Sequence, residues 1–141
     1  MATLVVTNAS VVVNSVDLSD HVKEVHVSDA ADMLEDTAMG ATYHTMKAGL
    51  KKGNITVVFF QDRAASKVDA TIAPLVGSTS SYTVVVKAVN TTVGSTNPTW
   101  TITAAQLDGD YMGVNGSVGQ LETVSVKFVP GSGGTLTRAT S

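Results

Sequence analysis

The chain has 141 residues and no cysteine, which excludes a disulfide framework, a thiolate metal centre and a cysteine nucleophile. Nine Lys and Arg stand against 12 Asp and Glu, a net charge of -3, so the bulk charge does not favour binding to phosphates. Hydrophobic residues at 43% exclude intrinsic disorder, and the 23 Val and 19 Thr favour strands, because β-branched side chains are stiff and pack well on a pleated surface.

One domain is expected at this length. The opening "MATLVVTNASVVVN" lacks a basic region, and Thr, Asn and Ser interrupt its apolar runs, so a secretory leader is not expected. No apolar stretch has the length of a membrane span. Residues 3–7 and 11–18 read as short strands, with Asn14-Ser15 as a turn inside the second. "DLSDHV" reads as one tight turn, and in "KEVHVS" Val25 and Val27 share one strand face while Glu24 and His26 share the other.

Residues 29–53 keep neither a period of two nor one of 3.6. They hold three of the five Met residues, and Met suits irregular or shared surfaces. This segment is expected to be an extended arm with strand character and one helical turn near 45–50. Twenty-five weakly patterned residues inside a compact domain need a reason beyond the domain's own packing.

"NITVVFFQ" is apolar on both phases, as a strand covered on both faces would be. A helix is expected over about 65–76, with Asp62 or Ser66 as cap, Val68, Ile72, Leu75 and Val76 as its apolar stripe, and Gly77 as its end. Pro74 should tighten the last turn. "SYTVVVKAV", "TWTITAAQL" and "QLETVSVKFV" read as three further strands. Asn115-Gly116 is the best short hairpin signal, and residues 131–141, rich in Gly and Ser, read as a flexible C-terminal tail.

The densest run of ionisable groups, residues 14–40, invites a search for chemistry. As a calcium loop starting at Asp17 it places Val22 where the sharp-turn Gly belongs and Ser28 where the bidentate Glu belongs. His21 and His26 are five apart, so on a strand they face opposite ways. A metal site built on Asp17, His21 and His26 is therefore disfavoured, and no metal or other cofactor is expected. The signatures of serine hydrolases, zinc proteases, P-loops and dinucleotide folds are missing, and no enzymatic activity is expected. Four N-x-[ST] triplets follow from the abundance of Ser and Thr.

Charge segregation within the arm remains. Asp29, Asp32, Glu35 and Asp36 precede Lys47, Lys51 and Lys52, and Met33, Leu34, Met39, Tyr43 and Met46 lie among them. An acidic and a basic stretch on different edges suit a head-to-tail contact between subunits.

The succession "VVVNSVDLSDHVKEVHV", "ADMLEDTAMG", "AGLKKGNITVVFFQD", "VDATIAPLVGS", "LETVSVKFV" and "LTRATS" resembles the major tail tube proteins of long, non-contractile-tailed bacteriophages, in order and over nearly the whole chain. The resemblance implies a mainly β fold, a sandwich or barrel-like core with one flanking helix, over residues 1–130. It implies a structural virion protein that forms hexameric rings stacked around a lumen through which DNA passes without specific contact. Its partners would be other copies of itself and the tape measure, tail tip and terminator proteins of the tail. By the same resemblance it would be made in the host cytoplasm and reside in the virion, with no membrane involved.

The arm would be the part that meets neighbouring subunits. Asp32, Met33, Leu34, Glu35, Asp36, Met39, Tyr43, Met46, Lys47, Lys51 and Lys52 are the expected interface residues. The tubes of type VI secretion and contractile systems share this fold. A rival of another class is a β-sandwich binding module, such as a capsid decoration or surface-adhesion domain.

Overall fold

The computed structural model describes residues 3–141; the first two residues of the opening stretch, to which the leader expectation applied, lie outside the described residues. Nine strands build two antiparallel sheets that face each other across one core, which is the expected mainly β fold. Strand β1 (Ser10–Val13) turns into β2 (Val16–Asp17) through Asn14 and Ser15, whose φ values are 48 and 65. Two successive positive φ angles match the twist of a two-residue hairpin, so the Asn14-Ser15 turn forms as expected. A 3-10 turn (Ser19–His21) follows, and Leu18 before it is fully buried.

The longest elements come next: β3 (Val22–Glu35) and β4 (Met46–Phe60) form one hairpin. Beyond them lie helix α1 (Val68–Ile72), β5 (Val84–Lys87), β6 (Thr99–Ile102), β7 (Ala105–Asp108), β8 (Thr123–Pro130) and β9 (Leu136–Ala139). One sheet has the order β2-β1-β5-β6-β9 and the other β3-β4-β8-β7. Alternation sets the inner faces. Val11, Val13, Val84, Val86 and Ile102 of the first sheet meet Ile55, Val57, Phe59, Val124, Val126 and Phe128 of the second, all buried.

Several expectations are corrected. Residues 3–7 form no strand, and Leu4, Val5 and Val6 are exposed. Strand propensity alone does not make a strand without a paired neighbour, and here the adjoining Asn8 makes an isolated bridge to Val89. The arm has no helical turn at 45–50, because β4 runs unbroken from Met46. Regular α-helix covers only Val68–Ile72, continued by a 3-10 turn over Ala73–Leu75. Asp62 caps a preceding turn by accepting from the Ala64 N–H at 2.9 Å, and Ser66 sits at φ 60, so the helix cannot start earlier.

"TWTITAAQL" is two strands in different sheets rather than one. The chain changes sheet at Thr103-Ala104, where Ala104 takes φ 48, and no Gly or Pro marks that corner in the sequence. Asn115-Gly116 closes no hairpin; residues 109–122 form an irregular loop.

The end of the chain is also not a free tail, since β9 pairs with β6 and buries Leu136. Its glycines serve close packing: a Cβ on Gly131 would meet the Ala104 carbonyl oxygen at 2.8 Å, and one on Gly134 would strike the Thr103 carbonyl oxygen. Gly131 N–H donates to Ala104 O at 2.8 Å, which anchors the turn that delivers β9 to the sheet.

Candidate assembly interface

The β3–β4 hairpin has two halves with different environments. At its base, Val25 pairs with Val57 and Val27 with Ile55, and these side chains meet the core. Beyond Asp29↔Gly53 no residue of the hairpin is buried, so the outer half projects from the domain as an arm. Asp32 faces Gly49 and Leu50 across a bulge, which adds local twist.

Register assigns the expected interface residues to faces. Met33, Glu35, Met46 and Lys51 share the face that continues the core side, while Asp32, Leu34, Lys47 and Lys52 share the other. Asp36, Met39 and Tyr43 lie in the tip loop. There Thr45 donates its hydroxyl to Asp36 at 2.7 Å, and the Asp36 N–H donates to Thr45 O at 3.0 Å. The apolar members are exposed: Met33 57%, Leu34 58%, Met46 52%, Tyr43 82% and Met39 fully. Leu50, also 82% exposed, joins them.

Acid and base in the arm do not stand apart on different edges, as the sequence suggested. They pair across the hairpin, Lys51 with Asp29 at 3.4 Å and Lys52 with Asp32 at 2.9 Å, and Glu35 pairs with His44. The Asp32 carboxylate raises the pKa of the Lys52 ammonium through their hydrogen bond. Such exposed pairs exchange partners readily and add little stability. The arm is therefore apolar on both faces, and its charges pair internally apart from Lys47 and Asp36, which form no ion pair among the described residues.

The ionisable run around His21 does something else. His21 Nδ1 lies 2.6 Å from Asp20 Oδ1 and Nε2 lies 2.8 Å from Asp62 Oδ2, which ties the 3-10 turn to the loop after β4. Asp17 accepts from the Ser19 N–H at 2.9 Å, a local turn contact. His26 projects from the opposite face of β3, across from Thr56. Among the described residues no group of three or more His, Asp or Glu is placed to hold a metal. Likewise, no helix is long and apolar enough to cross a membrane.

These contacts have a pH signature. Asp20 is held below the ordinary carboxylate value chiefly by its hydrogen bond with His21. Asp62 is held low first by the Ala64 N–H and then by His21. Glu122 is lowered by Arg63, 2.7 Å away, and by the Asn115 N–H. A carboxylate whose folded pKa is depressed stabilises the fold above its unfolded value, and that stabilisation disappears as pH falls through the folded one. The Tm is expected to hold from pH 7 to about 5 and to fall below the ordinary Glu and Asp values of 4.5 and 3.8. In an Asp62→Asn, Glu122→Gln double variant the acid fall should be shallower. An unchanged acid limb in differential scanning calorimetry would remove these groups as its cause.

Sequence reasoning missed a second exposed apolar region, the loop at 109–122. Met112, Val114, Val118 and Leu121 there are 53%, 82%, 106% and 79% exposed. Its apolar residues are spaced irregularly among glycines, so the sequence suggested only hairpin flanks.

No family model matches the chain, and no curated protein does. Solved structures do match in fold. A chain in the PVC sheath/tube terminator of an extracellular contractile injection system, in the extended state, aligns with TM-score 0.73 and 12% identity over 98% of this chain and 97% of its own. One in the PVC sheath-tube complex in the extended state aligns at 0.70 and 11%, over 99% and 93%. A chain in the virion of a native gene transfer agent particle aligns at 0.67 and 9%, over 92% and 95%. The fold is thus shared, along essentially the full chain, with components of an extracellular contractile injection system and a gene transfer agent particle.

Proposed function

We propose that this chain is a structural tail tube subunit of a phage-type particle, assembling into rings, hexameric as the resemblance implies, that stack around a passage for DNA. The observation that carries the reading is the projecting arm. It exposes six large apolar side chains, four on a two-stranded ribbon and two in its tip loop, with no core of its own beneath them. A monomer in water gains nothing from such a surface, whereas a neighbouring subunit can cover it.

The four-stranded sheet supports the same reading. Both its edges, β3 and β7, lack a second hydrogen-bonded neighbour among the described residues. Edges of that kind invite another copy, and a head-to-tail contact that closes on itself makes a ring. The fold shared with the injection-system and gene transfer agent chains adds to this. The work of such a protein is geometric rather than catalytic, and its further partners would be the tape measure, tail tip and terminator proteins.

The original resemblance was to tubes without a sheath. A second reading, a tube enclosed by a contractile sheath, is favoured by the two matches from a contractile injection system. Sedimentation velocity across a concentration series, with a tail-tip initiator complex added in parallel, tests assembly. Ring-sized or larger species are expected to grow with concentration. A monomer boundary at every concentration, with and without the initiator, would sink the reading and leave the binding-module rival.

A further inference from the structure

The loop at 109–122 exposes four large apolar side chains although several bonds fasten it to the domain. It is tied to the body of the domain where Tyr111 donates its hydroxyl to Asp69 at 2.7 Å and Arg63 Nη2 donates to Gly113 O at 2.7 Å, while inside the loop the Asn115 N–H donates to Glu122 at 2.8 Å. Asn115 Nδ2 adds a bond to Thr123 O at 3.0 Å. The loop is thus fastened at Tyr111, Gly113, Asn115 and Glu122, and its Met112, Val114, Val118 and Leu121 side chains are exposed to solvent. A loop without a partner would be expected to expose its polar groups and turn its apolar ones inward. A fastened loop that leaves four large apolar side chains in water offers a surface for docking.

Position within the fold limits what can cover it. The loop joins β7 to β8, and Thr123 pairs with Phe60, so the loop sits at the Phe60 end of β4. The Gln61 N–H also donates to Glu122 O, at 3.0 Å. The tip of the arm adjoins Met46, the other end of the same 15-residue strand. At about 3.4 Å per residue those ends are roughly 50 Å apart, so the arm cannot reach the loop of its own chain.

We infer that the 109–122 loop receives the tip of the arm of a second copy of this chain. This rests on the tube reading and names the surface that the arm meets. Apolar tip and apolar loop cover each other, and because they lie at opposite ends of one strand, each docked copy leaves a free tip at one end and a free loop at the other. Such a contact is heterologous and propagates. Lys47 on the arm and Asp110 in the loop form no ion pair among the described residues and can pair across the contact, Asp36 at the tip being held by the Thr45 hydroxyl at 2.7 Å, whereas the nearby Asp108 is already paired with Lys127 at 3.5 Å.

The test uses assembled wild-type protein made from equal parts of nitrogen-14 and nitrogen-15 chains, treated with a zero-length carbodiimide that joins amines to carboxylates. Linked peptides carrying Lys47 and Asp110 are expected, with mixed-isotope pairs present. Assembled particles in which the arm lysine links only to other segments would overturn the inference and leave the tube reading intact.

A Val118→Asp, Leu121→Asp double variant provides an independent arm, since both side chains are exposed in the monomer and the fold should persist by circular dichroism. The concentration needed for assembly should rise at least tenfold. Assembly at an unchanged concentration contradicts the inference, and a wild-type chain that never assembles removes both it and the tube reading.

Discussion

Replacing residues 29–53 by an Asn-Gly turn is expected to abolish assembly while leaving the β fold intact. Ser28 and Asn54 are directly paired across the hairpin, so a two-residue turn can join them without changing register. The excised segment contains no buried residue, and its ion pairs are exposed. At the foot of the arm the domain loses the close packing of Gly53 beside Leu136, which leaves no room for a Cβ at position 53. The Tm should therefore move by no more than about 5 °C, the scale expected when stability changes by roughly 1 kcal/mol in a domain of this class. Sedimentation should show only monomer at concentrations where the intact chain assembles. A deletion that loses its β circular dichroism would mean that the arm belongs to the core, and retained assembly would mean that the arm is not the contact.

Phe128→Ala is expected to produce the largest loss of stability from a single substitution. Phe128 is fully buried on β8, pairs in register with Ile55 and Leu107, and meets the Tyr82 ring edge to face, with centroids 6.2 Å apart and planes at 82°. Removing a buried aromatic ring costs about 3–5 kcal/mol through lost transfer energy and the cavity left behind. A domain's total stability is of order 5–15 kcal/mol, so the variant should be close to its unfolding limit at 37 °C. Chemical denaturation measures the loss. A change below about 1 kcal/mol would contradict a core built from the facing sheets, given the usual cost of such a cavity.

The parts of the fold that were legible in the sequence are those governed by short-range rules. Alternation at Val124, Val126 and Phe128 gives β8 its buried face, and two positive-φ residues make the Asn14-Ser15 turn. Where the structure departs from expectation, tertiary contacts decide. The Thr103-Ala104 corner depends on which sheet each half of the segment can join, which composition does not encode. Gly131 and Gly134 look like linker residues in isolation, yet their missing side chains let β9 dock on β6.

The candidate site was legible in part for a related reason. The absence of a clean period over 29–53 marked a segment with no partner in its own domain. The cross-strand pairing of Lys51 with Asp29 and Lys52 with Asp32 required the register, which the bulge at Asp32 obscures. The 109–122 loop could not be found from its sequence, because its placement depends on Arg63, Gln61 and Asp69, remote residues that bond Tyr111 and Gly113.

Negative-stain electron microscopy of the concentrated intact chain, with the tail-tip initiator added in parallel, tests the central claim most directly. Rings in end view with six-fold averages, stacked into tubes of uniform diameter, are the predicted result. Fields of single compact particles at every concentration, with and without the initiator, would contradict it.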